Sequence, residues 1–318
     1  MRLARFIAEG MPFESLGLVL GDKVIDLVRA YYKRLLDKGV SEDVALQEAN
    51  YFLESSRNFT KVWYELKNLV NDVINDKEAI EHYAFDINNV RFTPPIKEPS
   101  KIIGVALNYR DHAEEIKREI PDKPMIFFKT PNALIGHNDP IIIPKHVNQV
   151  DYEAELVVVV SKKGKNIPVD RAMEFVLGYT IGNDVSARDI QFGFRGHTMH
   201  SWGKSFDTFA PIGPWIVTVD EIPNPDNLKI KLELNGEIMQ DSSTSNMIFK
   251  INELVSYISR GITLEPGDII FTGTPAGVGA ARTPPRFLKK GDRIRIEVER
   301  IGVLENHVEK EGEILDFW

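Results

Sequence analysis

The spacing of apolar residues divides the chain into a short β segment, a helical segment and a long β-rich segment. Short apolar runs cover residues 3–8, 16–20 and 23–27, with a Gly21-Asp22 turn before the third, which predicts three short strands. From about residue 28 to residue 83 apolar side chains recur at three- and four-residue spacing, which predicts helices, the first ending near Gly39. The sequence therefore predicts a small N-terminal α/β domain.

A proline-rich segment separates this region from the rest of the chain. Residues 92–100 contain three prolines and are typical of a linker, so we predict an N-terminal domain over 1–96 and a second domain over 97–318. The second domain has two predicted helices, at 111–119 and 251–260. Its predicted strands lie at 101–106, 141–143, 156–160, 175–181, 215–219, 228–234, 268–271 and 293–298. Scattered strands with few helices favour an α+β fold or a β-barrel over a doubly wound sheet.

Two glutamates lie at the start of a strongly β-forming apolar run. In a strand Glu153 and Glu155 project to the same side, where their charges repel unless a cation or a shared proton lies between them. Asp184, one predicted strand later, supplies a third carboxylate. With no cysteine and no adjacent histidine, the three predict an oxygen-ligand site for a hard ion such as Mg²⁺. An isolated pair of this kind would more often be solvated.

A histidine and a glutamate share one face of a predicted helix that follows a strand. His112 and Glu115 are three residues apart, with Asn108 as the expected N-cap, so the two side chains can hydrogen-bond. A carboxylate that orients an imidazole fixes its tautomer and raises its basicity, as a general base requires. The alternative is a solvated first turn whose acidic side chains complement the helix dipole.

Two further segments carry candidate chemistry. Lys204 lies between small residues and an aromatic run, where a partly desolvated ammonium could stabilise an enolate or bind a carboxylate; a surface lysine is the alternative. The glycine-rich loop at 272–279 exposes backbone groups suited to anions, or is a turn joining strands. It carries neither a P-loop nor a dinucleotide-binding signature.

Composition narrows the class of protein. The net charge of −8 argues against a general nucleic-acid or anionic-membrane binder. No apolar run approaches the roughly 20 residues that cross a bilayer. The first residues lack a secretory signal, so we expect a cytoplasmic protein. The chain contains no cysteine, which excludes thiolate nucleophiles, zinc ribbons and iron–sulfur clusters.

Taken in order, several segments resemble the fumarylacetoacetate hydrolase family. They lie at residues 108–115, 151–160, 178–189, 203–217, 235–237, 244–249, 264–279 and 291–306. The resemblance implies an α+β fold, in which a mixed β-roll catalytic domain follows a smaller N-terminal domain, and usually a homodimer. The helical stretch from 28 to 85 is longer than the resemblance leads us to expect.

The resemblance also implies roles for individual residues. It implies Mg²⁺, with Mn²⁺ or Ca²⁺ as alternatives, held by Glu153, Glu155 and Asp184. It implies a catalytic group made of the dyad His112 and Glu115, on a lid over the substrate, together with Lys204. It implies contacts to the substrate carboxylate from Arg188, Gln191 and Thr274.

These residues predict an enzyme that acts on a small anionic 2-oxo acid through a metal-stabilised enolate. Our leading hypothesis is hydrolytic cleavage of a C–C bond in an acylpyruvate-like 1,3-diketo acid. The alternatives are an isomerase or decarboxylase of 2-hydroxy-dienedioates, a dehydratase of 2-keto-3-deoxy sugar acids, and a non-catalytic metal-binding protein. We expect neither nucleic acid nor a membrane as partner. The pocket walls at 195–202 and the lid are expected to decide among the substrates.

Overall fold

Nineteen strands form the framework of the described part of the protein. The computed structural model describes residues 1–55, 63–193 and 197–312, apart from the side chains of residues 63–65 and 77–79. The strands are β1 Arg2–Ala8, β2 Ser15–Leu20, β3 Lys23–Asp26, β4 Ala84–Asp86, β5 Val90–Thr93, β6 Ile102–Ala106, β7 Met125–Lys129, β8 Leu134–Ile135, β9 Pro140–Ile143, β10 Val150–Asp151, β11 Ala154–Val160, β12 Val176–Asn183, β13 Ser186–Ala187, β14 Ala210–Thr218, β15 Lys229–Leu234, β16 Glu237–Ser243, β17 Ile269–Phe271, β18 Arg293–Val298 and β19 Gly302–Lys310.

Eight α-helices accompany the strands in the same described residues. They are α1 Leu27–Asp37, α2 Glu42–Ser55, α3 Trp63–Asn75, α4 Lys77–Tyr83, α5 Arg110–Glu115, α6 Arg188–Gln191, α7 His200–Lys204 and α8 Ile251–Gly261. The first helix begins after Asp26, whose carboxylate accepts hydrogen bonds from the first backbone N–H groups, and it ends before Gly39, which has a φ of +80°. The predicted stop at Gly39 is confirmed.

The strands form one large sheet, one five-stranded sheet and one two-stranded pair. Ten strands of the large sheet follow the order β4-β3-β2-β1-β14-β12-β11-β17-β6-β7, with β5 and β8 on side branches. The five-stranded sheet has the order β16-β15-β18-β19-β9. The largest hydrophobic cluster takes side chains from both sheets, and β11 and β12 lie at its centre with every residue buried. Because β11 and β12 are antiparallel, the start of one lies beside the end of the other, which brings residue 153 close to residue 184.

The N-terminal strands continue the large sheet across the predicted domain boundary. Strand β1 pairs with β14, so residues before and after position 96 share one sheet. Helices α1 and α3 pack over this end of the sheet and contribute to a second hydrophobic cluster. The boundary at 96/97 stays a prediction, since strand pairing does not show which parts fold alone.

Most predicted elements are present, and the misses have local causes. All eight strands predicted beyond residue 100 are found, although β14 begins at Ala210, five residues before its predicted start, and includes two prolines, which are uncommon inside strands. Eight strands were not predicted: β4, β5, β7, β8, β10, β13, β16 and β19. The helix predicted over 111–119 ends at Glu115, because Lys117 takes a left-handed conformation with a φ of +53°.

None of the helices that the structure describes is both long enough and apolar enough to cross a membrane.

Candidate active site

Three carboxylates meet where β11 and β12 lie side by side. Glu153 immediately precedes β11, Glu155 is its second residue, and Asp184 immediately follows β12. One carboxylate oxygen from each residue lies within 4.8 Å of the others, and the side chains are almost completely buried. The strand geometry predicted from the sequence therefore brings the three carboxylates together.

The two glutamates have opposite electrostatic environments. Burial alone would raise the pKa of Glu153, but Lys204 at 2.8 Å and Arg188 at 2.6 Å outweigh it and hold the pKa below its usual range. Burial, followed by the charges of Asp184 and Glu153, raises the pKa of Glu155 well above its usual range. Glu155 accepts a hydrogen bond from Gly273 N–H at 2.7 Å, and no described cationic side chain forms an ion pair with it. It is the carboxylate that lacks a counter-charge.

Two buried lysines approach the cluster. Nζ of Lys204 donates to Asp184 Oδ2 at 2.5 Å as well as to Glu153. Burial would lower the pKa of Lys204, but the two carboxylates outweigh it and raise the pKa, so this side chain stays an ammonium. Nζ of Lys129, at the end of β7, donates to Asp184 Oδ1 at 2.5 Å. The alternative of an ordinary surface lysine does not describe Lys204.

The predicted dyad contact is present. Nδ1 of His112 lies 3.1 Å from Oε2 of Glu115 on α5. An ionised carboxylate only accepts, so Nδ1 carries the hydrogen and Nε2 is left as the basic nitrogen. Both side chains are mostly buried, with 12% and 21% of their area exposed, so the solvated-turn alternative does not describe them. The predicted hydrogen bond is confirmed; its catalytic role stays a prediction.

The helix that carries the dyad is fixed by its first turn. The predicted N-cap is wrong: the N-cap is Tyr109, without a side-chain bond, and Asn108 instead binds backbone groups of Phe249 and Thr272. Asp111 Oδ1 accepts from the backbone of His112, while its other oxygen accepts from Ser242 Oγ at 2.5 Å and from Asn246. The first turn of α5 is thus attached to the end of β16 and to the turn that follows it.

The glycine-rich loop after β17 binds anions, but they are the protein's own carboxylates. Gly273 has a φ of +98° and Gly277 a φ of +105°, conformations that favour glycine. A side chain at Gly277 would also lie 2.0 Å from the carbonyl oxygen of Met239. The donors and acceptors are Gly273 N–H with Glu155 Oε2 at 2.7 Å, Gly277 N–H with Glu115 Oε1 at 2.8 Å, and Gly279 N–H with Asp151 Oδ1 at 2.7 Å. One loop therefore contacts both the carboxylate cluster and the dyad.

The three predicted substrate contacts are all buried close to the cluster. Arg188 begins α6 and Gln191 ends it, and Arg188 Nη1 donates to Gln191 Oε1 at 2.9 Å. Thr274 Oγ1 donates to the carbonyl of Ala154 and accepts from Gln240 Nε2, both at 2.9 Å. Their contacts with a substrate stay predictions, and Thr274 also serves to hold the start of β11.

A cavity of about 880 Å³ joins these groups. Its polar lining includes His112, Glu153, Asp184, Arg188, Gln191, Lys204 and Thr274. His200, the first residue of α7, also lines it, as expected for the pocket walls at 195–202, and approaches Gln191 at 2.9 Å. The apolar wall includes Met125, Phe127 and Phe192. Of the predicted pocket walls, residues 195 and 196 lie outside the described part of the chain.

The cluster fits a hard divalent cation. Its donor set is three carboxylates, the ligand type that Mg²⁺, Mn²⁺ and Ca²⁺ prefer. The uncompensated charge of Glu155 supports the same assignment, because a bound cation would favour its ionised form.

Sequence reasoning missed two residues of this site. Lys129 is the last residue of strand β7, which was not predicted. The apolar run that ends in this lysine was the signal that could have indicated a strand with a buried lysine. Asp151 is completely buried next to the Glu-x-Glu pair, but it is not among the residues that line the cavity. No sequence signal distinguished it from a strand-end aspartate, since its partners come from positions 188, 279 and 280.

Residues 101–309 match the family model described as fumarylacetoacetate (FAA) hydrolase C-terminal. The chain belongs to the fumarylacetoacetate hydrolase family. The resemblance stated from the sequence is confirmed, and so is the mixed α+β fold, which solved structures of the family share.

Members similar to this chain carry different activities. The chain is 48% identical over 223 residues, 70% of each chain, to Bos taurus "Oxaloacetate tautomerase FAHD2A, mitochondrial". It is 33% identical to the solved 5-carboxymethyl-2-hydroxymuconate delta-isomerase of Mycobacterium smegmatis, with a TM-score of 0.71 and coverage of 98% and 100%. Maleylpyruvate hydrolase of Sphingobium, solved with manganese(II) and pyruvate, is 28% identical with a TM-score of 0.75 and coverage of 98% and 99%. The protein is therefore an enzyme of this family, whose members include hydrolases, isomerases and tautomerases.

Proposed function

We propose that the protein catalyses the keto–enol tautomerisation of a short 2-oxo dicarboxylic acid, with oxaloacetate as the first candidate. The observation that carries this proposal is that the dyad base His112 and two carboxylates of the cluster, Glu153 and Asp184, line one cavity. Tautomerisation needs a base for carbon, stabilisation of the enolate oxygen, and a proton for that oxygen, which solvent can supply. The activity named for the Bos taurus relative supports the choice of oxaloacetate.

Each group of the site has a part in this reaction. A divalent cation held by Glu153, Glu155 and Asp184 would act as a Lewis acid that stabilises the charge of the enolate oxygen. His112 Nε2 removes a proton from C3 of the keto form, and the enolate oxygen takes a proton from solvent to give the enol. In the reverse direction the enol oxygen loses its proton to solvent and His112 returns a proton to C3, while Glu115 fixes the imidazole.

The cations of the cavity bind and orient the substrate. Lys204 stays an ammonium between two carboxylates, so it stabilises a developing negative charge rather than acting as a base. Arg188 and Gln191 supply donors for the C1 carboxylate.

The direct test follows the enol of oxaloacetate as it converts to the keto form. Enol-rich oxaloacetate is injected from an aprotic solvent, and its ultraviolet absorbance is recorded with enzyme plus Mg²⁺, with enzyme plus EDTA, and with His112→Asn. We expect decay faster than the uncatalysed rate only in the first mixture, without release of pyruvate. Pyruvate release from oxaloacetate would indicate decarboxylation, and an unchanged decay would contradict the proposal.

Hydrolytic cleavage of an acylpyruvate remains the second candidate. The same dyad can remove a proton from water instead of from carbon, and the leaving pyruvate enolate would occupy the same position. The manganese- and pyruvate-containing hydrolase supports this candidate, because its whole chain matches this one. Acetylpyruvate and maleylpyruvate, assayed in parallel for pyruvate release, separate cleavage from tautomerisation. The isomerase, decarboxylase and dehydratase reactions belong to the same panel.

Three further expectations are part of this proposal. We expect a homodimer, which sedimentation tests. We expect a small anionic substrate, which the panel of 2-oxo acids above tests. The cytoplasmic location stays a prediction, and the Bos taurus relative has the word mitochondrial in its name. A purely metal-binding role would leave the dyad without a purpose, and the absence of turnover across the whole panel would support that role.

A further inference from the structure

We propose that Asp151 is the positioning residue for Arg188: it fixes the guanidinium so that its free N–H groups face the substrate carboxylate. The inference rests on the proposed function in one respect: it takes the carboxylate that Arg188 binds to be that of a 2-oxo acid. Asp151 is 0% exposed and does not line the cavity, so it acts on a ligand only through another residue.

Asp151 has all of its acceptor positions filled. Oδ1 accepts from Tyr152 N–H at 2.9 Å and Gly279 N–H at 2.7 Å, and Oδ2 accepts from Ala280 N–H at 3.0 Å and Arg188 Nε at 2.9 Å. A carboxylate offers about four lone-pair positions, so this one is saturated by donors from four residues. Such a carboxylate has one orientation, and three backbone donors determine it independently of Arg188.

The guanidinium of Arg188 is held on three nitrogens and still has two donors left. Nε donates to Asp151, Nη2 donates to Glu153 at 2.6 Å, and Nη1 donates to Gln191 at 2.9 Å. A guanidinium has five N–H groups, so one remains on each terminal nitrogen, and a carboxylate can accept a hydrogen bond from each of them. Arg188 lines the cavity, where a substrate carboxylate would be received.

Asp151 contributes what the other two partners of Arg188 do not. Glu153 belongs to the metal cluster, and Gln191 is itself bonded to His200, so both of these contacts can change when a cation or substrate binds. The contact with Asp151 is outside the cavity and is backed by the 279–280 backbone. Without it, the guanidinium can rotate toward Glu153 and lose the bidentate geometry.

The test is a double-mutant cycle on binding of oxalate, a small dicarboxylate that resembles a 2-oxo acid enolate, in the presence of Mg²⁺. Asp151→Asn keeps the side-chain volume but places its NH2 group against two N–H donors, those of Ala280 and Arg188 or, if the amide is turned over, those of Tyr152 and Gly279. We expect it to weaken oxalate binding, measured by calorimetry, about 10- to 100-fold in the wild-type background. In an Arg188→Gln background it should have less than about a two-fold effect. Equal effects in both backgrounds would overturn the proposal and assign the loss to the 277–280 loop.

A matched control separates positioning from general stability. Asp292 is also a buried aspartate with an arginine partner, Arg286, and backbone and side-chain donors, but it lies outside the cavity lining. Asp292→Asn should lower the melting temperature and leave oxalate affinity unchanged. An equal loss of oxalate affinity in this control would show that any buried aspartate has the effect attributed to Asp151.

A second readout keeps the inference separate from the proposed function. The Arg188 Nε–H resonance, identified by its loss in Arg188→Gln, should exchange slowly with solvent in the wild type and faster in Asp151→Asn. Unchanged exchange overturns the proposal even in a protein that does not bind oxalate, whereas absent oxalate binding alone contradicts the proposed function. If Asp151→Asn does not fold, Arg188→Lys tests the same point, because one ammonium cannot contact Asp151 and present two donors. Wild-type oxalate affinity in that variant would overturn the proposal.

Discussion

Two buried groups of charges, one near the N-terminus and one in the cavity, differ in how completely the fold neutralises them. Arg5 is 2% exposed and donates to Glu14 at 2.7 Å, and Glu14 also contacts Lys97 and Thr93. Burial alone would raise the pKa of Glu14, but Arg5, Thr93 and Lys97 outweigh it and lower the pKa. Every charge in this group has a partner supplied by the chain.

Beside the cavity, the same kinds of residue leave one carboxylate, Glu155, without a described cationic partner. Lys129, Lys204 and Arg188 are distributed over Asp184 and Glu153, and the pKa of Glu155 is raised. A buried charge that lacks a partner lowers stability unless a proton or a ligand compensates it. The comparison indicates that the N-terminal group stabilises the fold, whereas the cavity group is arranged for a cation that the chain itself does not supply.

The strongest test of this comparison is Glu155→Gln. We expect metal-dependent turnover to fall by more than about 100-fold, because a ligand is lost. Metal-free protein should melt about 2–4 °C higher, because the neutral amide keeps an acceptor for Gly273 N–H without the repulsion from Asp184 and Glu153. Turnover and thermal unfolding in EDTA are the measurements.

Glu153→Gln is the matched control for that variant. It also removes a ligand, but this carboxylate is bonded to Lys204 and Arg188, so the metal-free variant should melt lower than wild type. Opposite changes in melting temperature for the two glutamine variants are the expected result. A drop in both would contradict the view that Glu155 is the uncompensated charge.

His112→Asn tests whether the dyad serves chemistry rather than the fold. We expect tautomerisation to slow by about 10²- to 10⁴-fold, with a smaller effect for Glu115→Gln, because a positioned general base contributes rate enhancements of that order. Mg²⁺ and oxalate affinity, measured by calorimetry, should change little. His307→Asn, on β19 and outside the cavity lining, is the control. Equal losses of rate and of oxalate affinity would indicate a binding role for His112.

Gly277→Ala tests the loop that contacts both the dyad and the cluster. The added methyl would lie 2.0 Å from the Met239 carbonyl oxygen, so the Gly277 N–H must move away from Glu115. We expect turnover to fall about 10-fold or more and stability to fall by about 1–3 kcal/mol. Gly236→Ala provides the comparison, since Gly236 also has a positive φ but no atom within 4 Å of the added methyl. Similar turnover in the two variants would contradict a role for the loop in positioning Glu115.

The sequence predicted those parts of the site that depend on local spacing. Two-residue spacing in a strand places Glu153 and Glu155 on one side, and three-residue spacing in a helix joins His112 to Glu115. Both contacts depend on geometry that repeats along the chain, so they could be derived without knowledge of the fold.

The parts that depend on distant pairing could not be derived in this way. Asp151 meets Ala280 across 129 positions, and Lys129 meets Asp184 across 55. Such contacts follow from the order of strands in the large sheet, which local patterns do not determine. The prediction of Asn108 as the helix N-cap was wrong for the same reason. Its side chain binds backbone groups of Phe249 and Thr272, which lie far along the chain, instead of the N–H groups of the helix N-terminus.

The smallest expected effect comes from the N-terminal group, through Glu14→Gln. Loss of a charged hydrogen-bond partner for buried Arg5 should lower the free energy of unfolding by about 2 kcal/mol at neutral pH, without a change in turnover. Because the folded pKa of Glu14 lies below its unfolded value, its contribution in the wild type is present above the ordinary glutamate pKa and is lost as the pH falls through the folded value. Urea unfolding at several pH values from neutral to acidic should therefore show a steeper acid loss in the wild type than in the variant. Parallel pH curves would mean that Glu14 is as poorly compensated as Glu155, and the contrast between the two groups would not hold.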